Sequence, residues 1–194
     1  MAGWGAHPMD MMQWWADNAG FKTIPSRFEA TGTLPTTGLF NTITHWDATC
    51  KFDNGPTIHF MDDVTAKKKV PHPGVNIYDH GTIFSGPDGW VLTSRRGWKT
   101  SSEALRRKAK DPGTIRLPVS RDHIEGFVNS VISREQPTGD LHSAVRSDIA
   151  CHLTDIAIRE GRPITWDPIK ETIVGDEAAA KRMSRPAPRA WEKI

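Results

Sequence analysis

The sequence predicts an α+β fold: a large, predominantly antiparallel β-sheet with helices on one face. Three observations carry this. Segments that alternate apolar and polar residues are joined by short turn signals, a connection only antiparallel strands can use. Two helical patterns, with apolar residues every three or four positions, fill most of the C-terminal third. A shorter helical segment opens the chain.

Composition sets the outer bounds. A chain of 194 residues is long enough for one domain with a buried core, and residues 1–194 read as one such unit. With 37% hydrophobic and 25% charged residues it is a folding sequence, not a disordered one. Twenty-five Lys and Arg against 23 Asp and Glu leave a net charge of +2, which gives no case for nucleic acid or an anionic membrane as partner. No apolar run approaches a membrane span, and MAGWGAHPMD lacks the basic start and apolar run of a secretory signal. Cys50 and Cys151 are too few for a disulfide scaffold or a four-thiolate zinc site, so a reducing, cytoplasmic setting is expected. Eight Trp stand against a single Tyr, and indoles at that density are expected to anchor cores and interfaces.

The first helix falls in HPMDMMQWWADNAG. Pro8 suits the first helical position, Asp10 the first turn, and Asn18-Ala19-Gly20 the stop. Met9, Met11, Met12, Trp14 and Trp15 make it apolar nearly all round, which implies burial on more than one face. Over residues 43–52, Trp46, Ala48, Cys50 and Phe52 alternate with His45, Asp47, Thr49 and Lys51, the period of a half-buried strand. Asp53-Asn54-Gly55 signals a hairpin, and residues 57–61 return with Ile58 and Phe60 on one face. A second hairpin covers residues 81–93, with SGPDG as its turn. Between the two, Lys67-Lys68-Lys69 and the PHPG segment read as an exposed loop; residues 101–112 read as a loop or short helix. Ser120 then caps a helix whose Ile124, Phe127, Val128, Val131 and Ile132 form a core-seeking stripe, ended by Glu135-Gln136-Pro137. A longer helix over residues 143–160 turns Val145, Ile149, Leu153, Ile156 and Ala157 inward and stops at Gly161. From about residue 167 a charged tail is expected.

Spacing alone yields little chemistry. The chain holds no G-x-G-x-x-G, Walker A, HExxH, CxxC or GxSxG pattern. Its eight His are scattered; His45 and His59, expected to face each other across the first hairpin, are the nearest approach to a ligand pair, and no metal site is assigned. His7 stands out because it precedes Pro8 at a helix start between Trp4 and Trp14. A positive helix end favours the neutral imidazole, the form that accepts a proton; the plainer role is capping or packing. Cys50 and Cys151 lie on or beside apolar faces and read as packing thiols. Arg146 and Asp148 are a candidate polar pair inside the long helix.

WGAHPMDMMQWW, LPTTGLFNTITHWDATCKFDNGPTIHF, FSGPDGWVLTSRRG and, most specifically, CHLTDIAIREGR followed by WDP…GDEAAAKRMSRP carry a likeness that covers nearly the whole chain. The sequence resembles the C-terminal half of Gfo/Idh/MocA-type oxidoreductases, in the bacterial subgroup with a distinctive C-terminal region. The resemblance implies a two-domain enzyme: a Rossmann domain for NAD(P), then an antiparallel-sheet domain that binds a sugar- or cyclitol-like substrate and often oligomerises through its open sheet face. This chain matches only the second domain. It lacks the Glu-Lys-Pro segment that usually brings the catalytic Lys, and Gly3 stands where the helix motif Asp-x-x-x-His has its Asp. Of the usual proton-transfer groups, only the His survives, as His7.

The resemblance therefore implies a catalytic role for His7 and substrate contacts from Trp4, His7, Asp10 and Trp14. The chain alone is expected to bind no cofactor and to be inactive as a dehydrogenase, NAD(P) being implied for the complete enzyme. A sugar-like small molecule, a separate Rossmann domain and further copies of the chain are the expected partners. The alternative is a non-catalytic carbohydrate-binding or structural remnant.

Overall fold

The computed structural model describes residues 1–21, 23–70, 80–111 and 119–184, and the PHPG segment and the last ten residues lie outside them. Among the described residues, eight strands and six helices form an α+β architecture, with the strands divided between a five-stranded and a three-stranded sheet, antiparallel throughout.

The larger sheet is built on β1 (Arg27–Thr33), β2 (His45–Lys51) and β3 (Thr57–Met61), extended by β7 (Ile164–Asp167) and β8 (Thr172–Ile173) in the order β3-β2-β1-β7-β8. The alternation expected for β2 holds: Ala48 and Cys50 are buried, and Phe52 follows them into the core. Ala48 pairs with Phe60 on one side and with Ala30 on the other, so one face carries Phe28, Ala30, Ala48, Cys50 and Phe60. The opposite face carries Glu29, Asp47, Thr49 and His59 and is polar. His59 sits opposite Thr49, and His45 contacts Asp62 instead, so the expected His45–His59 pair does not form. The central strand β1 escaped the sequence reading because RFEATGT offers only Phe28 and Ala30 as apolar positions; Phe28 is nonetheless fully buried.

The smaller sheet is the meander β4 (Gly81–Gly86), β5 (Gly89–Ser94) and β6 (Gly97–Thr100). Its first hairpin is the expected one. Its second closes through Arg95 and Arg96, with Gly97 at φ +102°, a conformation that glycine adopts without steric cost.

Two helices form the layer over the larger sheet. Helix α5 (Leu141–Glu160) is capped by Asp140, which accepts from the His142 and Ser143 N–H groups, and stops at Gly161 in the left-handed region. Helix α1 (Ala2–Asn18) packs across it. Arg146 of α5 grips Asp17 of α1 with two hydrogen bonds of 2.9 and 2.7 Å, while Asp148 meets His152; the proposed Arg146–Asp148 pair is replaced by these two. Cys50 and Cys151 are buried in the same core. Burial pushes both thiols up to about 12, so at neutral pH they pack as thiols and do not act as nucleophiles.

Four further expectations are corrected. First, α1 begins at Ala2, so Pro8 lies inside the helix and His7 is not at its start. Packing explains the extra turn: Gly5 fits against Phe60 so closely that a Cβ would stand 2.5 Å from the ring, and this contact draws the N-terminal turn onto the core. The helix buries a single stripe of Gly5, Met9, Met12, Gln13 and Ala16, and leaves Trp4 and Trp15 exposed. Second, the lysine run is the end of a helix, α2 (Asp63–Lys69). Asp62 caps its first turn and Lys67, Lys68 and Lys69 suit its negative end. Third, helix α4 (His123–Ser133) is capped by Asp122, not Ser120, and its apolar stripe faces outward: Ile124, Phe127 and Ile132 are 77%, 64% and 75% exposed. Val145 at the start of α5 is exposed as well. Fourth, residues 168–184 are not a tail. β8 pairs with β7, and α6 (Glu177–Lys181) buries Ala179. Arg162 clamps the α6 cap, Asp176, through bonds of 2.7 and 2.8 Å; these bonds first, and the Ala179 N–H next, hold that carboxyl down at about 2.

The remaining short helix, α3 (Glu103–Ala109), occupies the segment read as loop or helix and is capped by Ser102.

Candidate functional site

The expected site residues lie along α1, and the structure separates them into two groups. Trp4 and His7, one turn apart, have ring centroids 5.7 Å apart. Asp10 turns to α5, where its Oδ1 accepts from the hydroxyls of Ser143 and Ser147, each at 3.2 Å. Trp14 is half-buried, and its carbonyl accepts from the Asn18 side chain. Asp10 thus helps tie the two helices together, while the first turns of α1 carry the open chemistry.

The small sheet completes the cluster. Gly81 of β4 pairs with Ser94 of β5, so His80 and Arg95 flank the same end of that hairpin. The hairpin docks on α1 through the Thr82 hydroxyl, which donates to the Pro8 carbonyl at 2.7 Å. This brings the His80 ring to 5.3 Å from His7, nearly parallel at 22°, and to 5.6 Å from Trp4. The Arg95 guanidinium lies over the Trp4 ring, 5.7 Å from its centroid. Arg95 is held in place by its turn: the Ser94 hydroxyl donates to the Gly97 carbonyl and accepts the Arg96 N–H.

The result is a patch of two imidazoles, His7 exposed and His80 half-buried, with an exposed indole face and an exposed guanidinium. It has a proton acceptor or donor in each imidazole, an apolar ring surface that suits sugar C–H groups, and a fixed cation. His80 and Arg95 were missed in the sequence because they lie some 70 residues or more from His7 and belong to no motif; the only available signal was an Arg in a tight hairpin turn.

A dinucleotide does not fit these residues. Every strand pairing among the described residues is antiparallel, and no strand leads through a glycine-rich turn into a helix, which is the cradle a pyrophosphate uses. No group of three or more metal-ligating side chains occurs among the described residues, and no helix among them is long and apolar enough to cross a membrane.

No family model matches the sequence, and no curated protein matches it. Solved structures do match its fold. An aldose-aldose oxidoreductase from Caulobacter crescentus, complexed with glycerol, superposes with a TM-score of 0.53 at 15% identity over 83% of this chain and 45% of that one. An NAD-binding protein from Listeria innocua gives 0.48 at 13% identity, over 84% and 46%. A protein from Thermotoga maritima gives 0.47 at 12%, over 83% and 45%. This chain spans less than half the length of each. This chain shares its fold with the part of the Caulobacter crescentus aldose-aldose oxidoreductase on which it superposes, in line with the oxidoreductase resemblance of the sequence.

Proposed function

We propose that this chain is the substrate-binding and oligomerisation half of an NAD(P)-dependent sugar or cyclitol oxidoreductase. The single observation that carries the reading is the meeting of His7 with Trp4, His80 and Arg95 where α1 receives the β4–β5 hairpin. In this reading Trp4 stacks on the sugar, and His7 takes the proton from the hydroxyl whose carbon is oxidised, or returns it in reverse. Asp10 and Trp14 support the helix that aims His7. The hydride acceptor is supplied by a nucleotide-binding domain, since the described residues offer it no cradle, and the domain by itself turns over nothing.

The exposure of the patch supports this reading. A proton transfer works best in a site shielded from water, and a second domain laid over α1 would supply that cover. Self-association and a cytoplasmic setting belong to the same reading. The two free buried thiols accord with the second. The open sheet face, with Glu29, Asp47, Thr49 and His59, would make a hydrogen-bonded interface rather than an apolar one.

The test is reconstitution. Joined to or mixed with a nucleotide-binding domain, the chain is expected to support sugar-dependent NAD(P)H formation, and His7→Ala to lower it roughly 100-fold or more. Unchanged turnover in that variant would remove His7 from the chemistry. A second reading, a carbohydrate-binding module without turnover, is favoured by Gly3: it is exposed with open space around it, so nothing in the packing excludes the missing carboxylate, yet none is present. Sugar binding with no turnover beside any nucleotide-binding partner would select it.

A further inference from the structure

We propose that the patch selects an anionic polyol, a sugar bearing a carboxylate or phosphate, and that Arg95 is the residue that reads the charge. The inference rests on the sugar-site reading above and deepens it.

Several arginines are already committed to carboxylates here. Arg146 is bound to Asp17, Arg159 to Asp155, Arg162 to Asp176, and Arg182 to Glu160. Arg95 differs. Among the described residues no ion pair joins it to a carboxylate; its guanidinium lies over the face of Trp4, as that of Arg106 lies over Trp98. A guanidinium attracted to an indole face still has its N–H fork to offer, because that attraction uses no acceptor atom. The fork is therefore available for a planar carboxylate or a phosphate, the groups it matches with two parallel hydrogen bonds.

Position argues the same way. The flexible side chain springs from a two-residue turn fixed on both sides by the Ser94 hydroxyl, so the backbone beneath it is set before any ligand arrives. Trp4 contacts both the guanidinium and the His7 ring. One indole thus separates the cation from the imidazole. A sugar acid or sugar phosphate likewise holds its anionic end a few carbon–carbon bonds from its carbinol carbons. A sugar lying on Trp4 with its anion at Arg95 would present a hydroxyl to His7. Neither His80 nor His7 opposes the choice, since an imidazole is neutral or positive and never repels an anion.

Binding to the full chain tests this, read by Trp fluorescence and by calorimetry, with D-glucose, D-gluconate and D-glucose 6-phosphate compared at low salt. The expected result is that one of the two anionic ligands binds at least roughly tenfold more tightly than glucose, as a charge-assisted pair should give. Which one it is identifies the anion. Added salt should narrow the gap. Arg95→Gln should bring the anionic ligand to within about twofold of glucose, whereas Lys67→Gln, on α2 and paired with Asp63, should leave the preference for the anion unchanged. Equal binding of glucose and both anions by the unaltered chain would overturn the role of Arg95 and leave the sugar site standing. Binding of none of the three would overturn both.

Discussion

Helices α4 and α5 follow one another in the chain and meet opposite surroundings. α4 carries the clearer one-sided apolar stripe, and that stripe faces outward: Phe127 and Ile132 are exposed. α5 shows little one-sidedness, with Ser143, Ser147 and Thr154 among its inward residues, yet it is the centre of the core. The difference has a physical cause. An amphipathic stripe records that a helix has one wet side and one dry side. A helix packed on several sides needs no stripe. α5 touches α1, β1, β7 and α6, and its small and hydroxylated residues permit that close approach, the buried hydroxyls bonding back to their own helix, as Thr154 does to the Ala150 carbonyl at 2.9 Å. The stripe on α4 states a demand for cover, and the described residues of this chain do not meet it.

The comparison can be sharpened by substitution. The largest effect is expected from Leu153→Ala in α5, where a fully buried side chain leaves a cavity; chemical denaturation should register a loss of about 2–5 kcal/mol. An intermediate effect is expected at Asp62, which anchors α2 by polar means. Its carboxylate accepts from the Val64 and Thr65 N–H groups, the Thr65 hydroxyl and the Trp46 N–H of β2. Asp62→Ala should cost about 1–2 kcal/mol.

The same residue supplies a pH test. Burial works to raise the Asp62 carboxyl, but the bonds from Thr65 and Trp46 outweigh it and hold the group well below the ordinary aspartate value of 3.8. A carboxyl depressed by folding contributes its full stabilisation above that ordinary value and loses it as the pH falls towards the depressed one. The stability difference between the unaltered chain and Asp62→Asn should therefore be constant near neutrality and shrink below about pH 4. A difference that grows in acid would reverse the assignment.

The smallest effect is expected on α4. Phe127→Ser should leave the unfolding free energy within about 0.5 kcal/mol, because little apolar area is lost from water-free surroundings. It should nevertheless reduce retention on a hydrophobic matrix. A cost comparable to that of Leu153→Ala would break the contrast and show the α4 face to be buried in solution.

The small sheet and α1 show how far the site could be read from residues. His7 and Trp4 were legible because they share a helix and a motif. Asp10 shares that helix too, but its carboxylate is used by Ser143 and Ser147, partners more than 130 residues away that no local pattern predicts. His80 and Arg95 became visible only once the Thr82 hydroxyl tied its hairpin to Pro8. Pro8 teaches the converse. Local rules place a proline at a helix start, and the Gly5–Phe60 contact extended the helix past it.

Local chemistry on its own determined the α+β class, the two hairpins around Asp53-Asn54-Gly55 and Pro87-Asp88, the stop of α5 at Gly161, and the packing role of both cysteines. These depend on turn geometry, strand period and capping, all settled within a few neighbouring residues. Tertiary structure alone decided where α1 begins, that residues 168–184 fold back on β7, which way α4 faces, and which side chains surround His7. Those outcomes depend on contacts between segments far apart in the chain, and their free energy appears only when the segments meet.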